Sequence, residues 1–401
     1  MSRLEELIQR YCPDGVEYHK VKEFYTRLKG TPITAGKMKE IATPSGLVRI
    51  FAGGKTVIDA NEADIPNANI TRVPAVLVQS RGVIDVAYYD KPFTFKNEMW
   101  AYTNDNKTSV KYLYYVLKNN VQTFRDAASG MGSLPQISLG ITEDFEIPVP
   151  PMPVQEEIVR ILDSFTELQA ELQAELQKRK QQYNYYLDNL LSFNNINRGG
   201  YREEVRWMKM SDICYKTNNI KWKTASRTYQ YIDLTSVDIP THSIISTVEI
   251  DRDTAPSRAQ QIVKEKDIIF ATTRPTQMRL CLIPAQYDGE ICSTGYCVIR
   301  PNPAVLSPKY LFFALATEDF KAYLSNNLTL GNYPSISNAK LMEYEVPVPS
   351  MDEQERIARV LDRFDTLTND LTSGLPAEIE KRRQQYEYYR DRLLSFKRID
   401  A

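Results

Sequence analysis

Arginines and glutamines on short polar loops, with lysines nearby, are the side chains of this 401-residue chain best suited to recognition chemistry. Gln79-Ser-Arg-Gly82 and Ala271-Thr-Thr-Arg-Pro275 each follow an apolar, β-branched run. Arginine can hold guanine through two parallel hydrogen bonds, and glutamine can do the same for adenine. Arg81, Arg274, Gln79 and Gln277 are therefore candidate base readers, and Ser80, Thr273 and Arg279 share their loops. Two later loops, Gly130-Met-Gly-Ser-Leu-Pro-Gln136 and Leu330-Gly-Asn-Tyr-Pro-Ser335, add Ser133 and Ser335. Lys37, Lys39, Lys55, Lys221 and Lys223 are candidates for phosphate contacts. Each of these groups has a plainer alternative as a surface or capping residue.

Bond-making chemistry is harder to place. Ala52-Gly-Gly-Lys-Thr56 looks like a phosphate loop, but that pattern requires glycine at position 49, where Arg49 stands. There is no strand–GxGxxG–helix fingerprint and no Asn/Asp-Pro-Pro-aromatic tetrapeptide of adenine methyltransferases. His19 and His242 have no convincing nucleophile partner. Five cysteines without a Cys-x-x-Cys pair, and only two histidines, speak against a zinc site. They fit reduced thiols in a cytoplasm.

The bulk numbers agree. A net charge of −1 excludes attachment to nucleic acid by overall charge, so any such role must use local patches. Lys20–Lys39 supplies one, with six basic residues against Glu23 alone. Lys216–Arg227 supplies the other, with Lys216, Lys221, Lys223 and Arg227, no acid, and Tyr215 and Trp222 interleaved. Hydrophobic content of 42% suffices for sizeable cores. No apolar run is long enough to span a membrane, and the N-terminus lacks the apolar region of a signal peptide.

The elements that must position these groups are duplicated. Ile147–Phe165 and Val346–Phe364 are identical at 11 of 19 positions, and Arg179–Phe193 and Arg382–Phe396 at 11 of 15. Strands are expected at Val16–Val21, Val73–Val78, Val83–Ala87, Val205–Met210, Tyr229–Leu234, Asp267–Phe270, Leu280–Ile283 and Cys297–Ile299, and helices at Ser2–Tyr11, Lys111–Leu117 and Lys309–Leu315. Each half thus reads as a globular α+β domain followed by a long helix. In the first helix, Ile158, Leu162, Phe165, Leu168, Leu172, Leu176, Tyr183, Leu187 and Leu190 form a coiled-coil seam, with Arg179 standing where an apolar residue is expected. The second seam runs through Ile357, Leu361, Phe364, Leu367, Leu371, Leu375, Ile379, Tyr386 and Leu393. Gly374 and Pro376 predict a break near Ser373–Pro376 and a fresh helix beginning at Pro376. The expected boundaries are 1–150, 151–198, 199–349 and 350–401, domain and helix in turn. Tandem Leu168-Gln-Ala-Glu171 and Leu172-Gln-Ala-Glu175 read as helix-forming filler or as a spacer, each unit adding about 6 Å of rise.

Two helices of matched length would pair antiparallel and hold two similar domains at opposite ends, a geometry suited to a partner with a long repeat such as DNA. Different domain surfaces predict unlike half-sites. At this point the chain resembles the specificity subunits of type I restriction–modification enzymes. The resemblance is carried by Cys12-Pro-Asp-Gly-Val-Glu-Tyr18, both Pro-x-Pro segments with Gln155-Glu156 and Gln354-Glu355, both Gln-Gln-Tyr-x-Tyr-Tyr blocks, Leu375-Pro-Ala-Glu-Ile-Glu380 and both Leu-Leu-Ser-Phe endings. It spans the whole length. It implies two target recognition domains, one per half of a bipartite DNA sequence, and two conserved helical regions in an antiparallel coiled coil. It also implies docking of two modification subunits on those helices, with restriction subunits joining them. Cofactors (S-adenosylmethionine, ATP and Mg) are then expected on the partners and none on this chain. The Leu-Gln-Ala-Glu doublet is similar to the family's tetrapeptide spacer. Tyr183, Tyr186, Tyr386 and Tyr389, near the helix ends, are candidates for subunit docking, with intramolecular packing as the alternative. A coiled-coil scaffold with two protein-binding domains is a competing reading, and a lone methyltransferase a third. Bipartite DNA reading predicts salt-sensitive, sequence-selective binding, whereas a methyltransferase would itself bind the cofactor.

Overall fold

A computed structural model describes residues 2–129, 134–193, 205–329, 331, 333–370 and 372–399. They form two compact units, residues 1–170 with 381–401 and residues 171–380. Contacts therefore divide each long helix between units, where the sequence reading placed boundaries at the helix ends.

In the first unit, a four-stranded antiparallel sheet runs in the order Thr26–Leu28, Met99–Thr103, Ala75–Gln79, Asp85–Tyr89. Ala75–Val78 is buried throughout, as a central strand must be, and the two edge strands carry the polar positions. A three-stranded sheet joins Val57–Ala60, Val48–Phe51 and Phe93–Phe95, the last two parallel. Tyr18–Lys20 pairs with Glu146–Pro148.

The second unit repeats this plan with one strand added. Cys214–Tyr215, Tyr296–Pro301, Ile268–Ala271 and Leu280–Leu282 form the antiparallel sheet. Val248–Ile250, Tyr229–Ile232 and Ile291–Ser293 repeat the smaller one, with its parallel pair, and Ala259–Ile262 adds an edge strand. Arg206–Lys209 pairs with Glu345–Val348 in the register of its counterpart. The predicted strands are present. Most of the smaller sheets, Ala259–Ile262 included, had no clear apolar alternation to announce them.

The helices Lys107–Asn119 and Pro308–Ala314 pack on the larger sheets, and the duplicated motifs explain how. Tyr112 donates to the Pro148 carbonyl at 3.2 Å, and Tyr310 to that of Pro347 at 2.8 Å. The buried Gln155 amide donates to the Pro150 carbonyl, and Gln354 to that of Pro349. Lys111–Asp163 and Lys309–Asp362 tie each domain helix to its long helix. The Pro-x-Pro carbonyls just ahead of each long helix are thus satisfied by a domain-helix tyrosine and by the glutamine of the Gln-Glu signature.

The first long helix is continuous over Met152–Leu191. Its seam residues from Ile158 to Leu190 are all buried or half-buried. The second copy is broken, as expected, into Met351–Asn369 and Leu375–Leu393. The stop falls at Asp370, whose carboxylate takes hydrogen bonds from the Thr372 amide and hydroxyl and the Ser373 hydroxyl. These bonds pull its pKa down to about 2. Pro376 sits one residue inside the new helix, where a missing N–H leaves no bond unmade. One seam position departs: Leu367 is 37% exposed and Thr368 is buried in its place. Leu371 lies outside the described residues.

Within each unit, early turns of one helix copy meet late turns of the other, the antiparallel sense. Phe165 stacks on Tyr389 at 5.7 Å and 25° in the first unit. Phe364 stacks on Tyr186 at 5.2 Å and 26° in the second. The two aromatic pairs occupy duplicated positions.

Candidate nucleic-acid interface

The polar loops singled out in the sequence are gathered, in each unit, into one pinned pair. In the first unit, the loop leaving Ala75–Gln79 meets residues 134–137. Ile137 N–H donates to the Ser80 carbonyl at 3.0 Å, and Gly82 N–H to that of Pro135 at 2.9 Å. Ser129 and Gln136 exchange backbone hydrogen bonds across the second loop. In the second unit, Ile336 N–H donates to the Thr272 carbonyl at 2.9 Å and Arg274 N–H to that of Pro334 at 2.7 Å, while Thr329 and Ser335 make the equivalent exchange.

These bonds bear out the loops as comparable and set the residue-by-residue correspondence between the halves. Arg274 matches Gly82, and Arg81 matches Thr273. The two arginines are one residue out of register. Tyr333 matches Leu134, and Ser335 matches Gln136. Both residues at the Gly82/Arg274 position have positive φ, 77° and 51°. At the tips, Leu134 lies against Gly82 in one unit, and in the other the Arg274 guanidinium lies 5.0 Å from the centre of the Tyr333 ring.

The remaining candidates divide by what they touch. Arg81, Arg274 and Gln277 are exposed on these loops, Thr273 and Ser335 are half-buried there. Gln79 borders an apolar cavity of about 220 Å³ with Phe51, Val57 and Met99. Ser80 is buried and its hydroxyl donates to the Glu98 carbonyl, a fold contact. Arg279 turns inward and holds the Leu234 and Val237 carbonyls. Ser133 lies outside the described residues, and Lys55 is described only as the end of a 3-10 turn. That turn links two antiparallel strands, so Ala52-Gly-Gly-Lys-Thr56 opens no helix and has no phosphate-loop geometry.

The basic stretches differ from each other. In the first, Lys22 and Lys20 pair with Asp144, Arg27 with Glu143 and Lys37 with Glu40, while Lys39 is exposed. The Lys22 ammonium holds the Asp144 carboxyl below the usual carboxylate range. Much of that positive charge is thereby neutralised by acids far away in sequence. In the second, Lys221 and Lys223 stay exposed on a short turn, while Arg227 stacks on Tyr229 and pairs with Glu290.

Tyr183, Tyr186 and Tyr386 pack within their units, on the seam and the domain cores, while Tyr389 stacks on Phe165 but stays 40% exposed. The most exposed tyrosines of the same blocks are Tyr185, 64% exposed, and Tyr388, 56% exposed. Each sits edge-on to its inner neighbour, at 5.6 and 5.4 Å and 74° in both. Sequence reading passed over this pair, although its presence in both blocks was visible.

No set of groups for bond-making emerges among the described residues. Among the same residues no cluster of ligands could hold a metal. Burial pushes the Cys214, Cys281 and Cys297 thiols up to about 12 and the His242 imidazole down. A cavity of about 340 Å³ in the second unit is lined by Asp188, Glu318, Asp319, Trp207 and Tyr344, an acidic wall that repels phosphate. No helix among these residues is long and apolar enough to cross a membrane.

Comparison with known proteins fits this arrangement. The model of the type I restriction modification DNA specificity domain matches twice, over residues 30–179 and 202–381. A type I restriction enzyme specificity subunit of Escherichia coli, EcoR124I/EcoR124II, is 35% identical over 311 residues, covering 73% of this chain and 72% of that one. A putative type I restriction enzyme specificity subunit of Haemophilus influenzae is 29% identical over 323 residues, 76% and 77% of the two chains. The type I restriction–modification S subunit of M. genitalium shares the fold, with a TM-score of 0.60 at 16% identity over 95% of this chain and 96% of that one. With the family's domain present in two copies over most of its length, the chain belongs to the DNA specificity subunits of type I restriction–modification systems.

Proposed function

We propose that each unit reads one half of a bipartite DNA target through its pinned loop pair, and that the chain directs partner subunits to that target without performing chemistry itself. One observation carries this: the same backbone scaffold, fixed by the same hydrogen bonds, presents different side chains at its tip in the two units. A rigid support with variable ends is what sequence reading requires. Arg81, Arg274 and Gln277 are the exposed base-reading candidates, and Lys39, Lys221 and Lys223 the phosphate contacts.

The modification subunits dock on the outer helix faces marked by Tyr185 and Tyr388. S-adenosylmethionine, ATP and Mg belong to the partners, and the complex works in the cytoplasm. The continuous Met152–Leu191 helix acts as the spacer that sets the gap between half-sites.

The test is to co-express the chain with its modification subunit and map methylated positions, with and without deletion of Leu172–Glu175. A two-part methylated sequence is expected, and the deletion is expected to change the gap while leaving both half-sites intact. Altered half-site sequences would contradict the spacer assignment. An absence of sequence preference would favour the scaffold reading.

A further inference from the structure

We infer that Arg274 and Tyr333 together form a guanine reader in the second unit, with Arg274 determining specificity and Tyr333 positioning it. This rests on the reading of the loop pairs as the DNA-contacting surface.

Arg274 has φ 51° and ψ 51°, the left-handed region that residues with a Cβ rarely adopt. The equivalent residue of the first unit is Gly82, which takes positive φ without a steric penalty. The backbone here suits glycine, yet an arginine occupies it. The surroundings force the conformation. Arg274 N–H is held by the Pro334 carbonyl at 2.7 Å, and its own carbonyl accepts from Gln277 N–H at 3.0 Å. Pro275 and Met278 are buried on either side of the turn, and Met278 too is left-handed, with φ 55°. Such outliers persist where the fold over-determines them, and they concentrate at working sites.

The side chains give this backbone a purpose. Tyr333 is 63% exposed and belongs to no apolar cluster among the described residues, so core packing does not account for it. Its ring carries the Arg274 guanidinium at 5.0 Å, and no carboxylate among those residues pairs with that guanidinium. Stacking on an aromatic face restricts the guanidinium plane while its N–H edge stays free. A planar donor fork with limited freedom matches the O6 and N7 acceptors of guanine. The Gly82–Leu134 tip of the first unit has neither donor nor charge at this place. A guanine read in this way belongs to one half-site only.

The competing role for an exposed arginine is a phosphate contact, and lysine separates the two. It keeps the charge but loses the fork. The complex of the chain with its modification subunit would be tested as wild type, Arg274→Ala, Arg274→Lys, Tyr333→Ala and Tyr333→Phe, by mapping methylated sites and measuring binding against salt. Guanine reading predicts that both Arg274 variants lose preference at one guanine of one half-site by about 5- to 150-fold, with every other position unchanged. Tyr333→Ala relaxes the same position less, and Tyr333→Phe leaves it intact. Methylation at the relaxed sites shows that the variants fold and assemble. The inference is overturned if Arg274→Ala keeps the target sequence and weakens binding to all DNA with a salt slope reduced by about one, while Arg274→Lys restores it. A wild-type complex without sequence preference would instead overturn the reading of the loops as the DNA surface.

Discussion

Residues 75–82 and 268–274 leave matching central strands, cross matching proline-containing loops, and end in opposite chemistry. One tip pairs a glycine with a leucine, the other an arginine with a tyrosine. The anchors of the domain helices have hardly diverged: Tyr112 and Tyr310 donate to equivalent proline carbonyls, Gln155 and Gln354 share one such bond, and Lys111–Asp163 and Lys309–Asp362 are equivalent ion pairs. Duplication has therefore preserved what holds the loops and released what the loops present. Under the proposed function, that division of labour would let one fold serve two different half-sites.

The comparison can be broken at its strongest shared feature. Leu162 and Leu361 are both fully buried on the duplicated helices. Leu162→Ala and Leu361→Ala should each cost about 2–5 kcal/mol, measured by denaturant unfolding. A small loss at either position would show that the two seams are not equivalent.

The glutamine anchors sharpen it. Gln354 uses both ends of its amide, donating to Pro349 and Val305 and accepting from Ser307 N–H at 2.8 Å. Gln155 donates to Pro150, but its buried Oε1 finds no partner among the described residues. Gln354→Ala should cost about 1–3 kcal/mol and Gln155→Ala less than that. Equal losses would refute the asymmetry.

The pH response of the helix break is smaller. The folded pKa of Asp370 lies near 2, below its ordinary 3.8. Its contribution to stability is present above about 3.8 and disappears as pH falls through about 2. Asp370→Asn should therefore remove part of the acid dependence of unfolding in that window alone. An unchanged pH profile would contradict the assignment.

The outer tyrosines have the smallest expected effect on folding. Tyr185→Ala with Tyr388→Ala should leave stability within about 0.5 kcal/mol and weaken co-purification of the modification subunit. Undiminished assembly would remove them from the docking surface.

The legible part of this molecule was what repeats. Helix periodicity, the break before Pro376 and the paired Pro-x-Pro signatures depend on neighbours a few residues away, so sequence displays them. Charge neutralisation was hidden, because Asp144 and Glu143 reach Lys22 and Arg27 from more than a hundred residues away. The inward or outward sense of the tyrosines depends on which face of each helix meets the other copy, and adjacent residues differ by about 100° around a helix. The register of the paired loops was within reach. Aligning Pro135 with Pro334 pairs Leu134 with Tyr333, but pairing Gly82 with Arg274 needed the hydrogen bonds that hold both loops.

The most direct test of two independent readers is to map methylation by the complete complex carrying Arg81→Ala or Arg274→Ala. The account predicts that Arg81→Ala relaxes only one half-site and Arg274→Ala only the other, with the gap unchanged. If a single substitution altered both half-sites, or both substitutions altered the same one, the assignment of one reader to each unit would be contradicted.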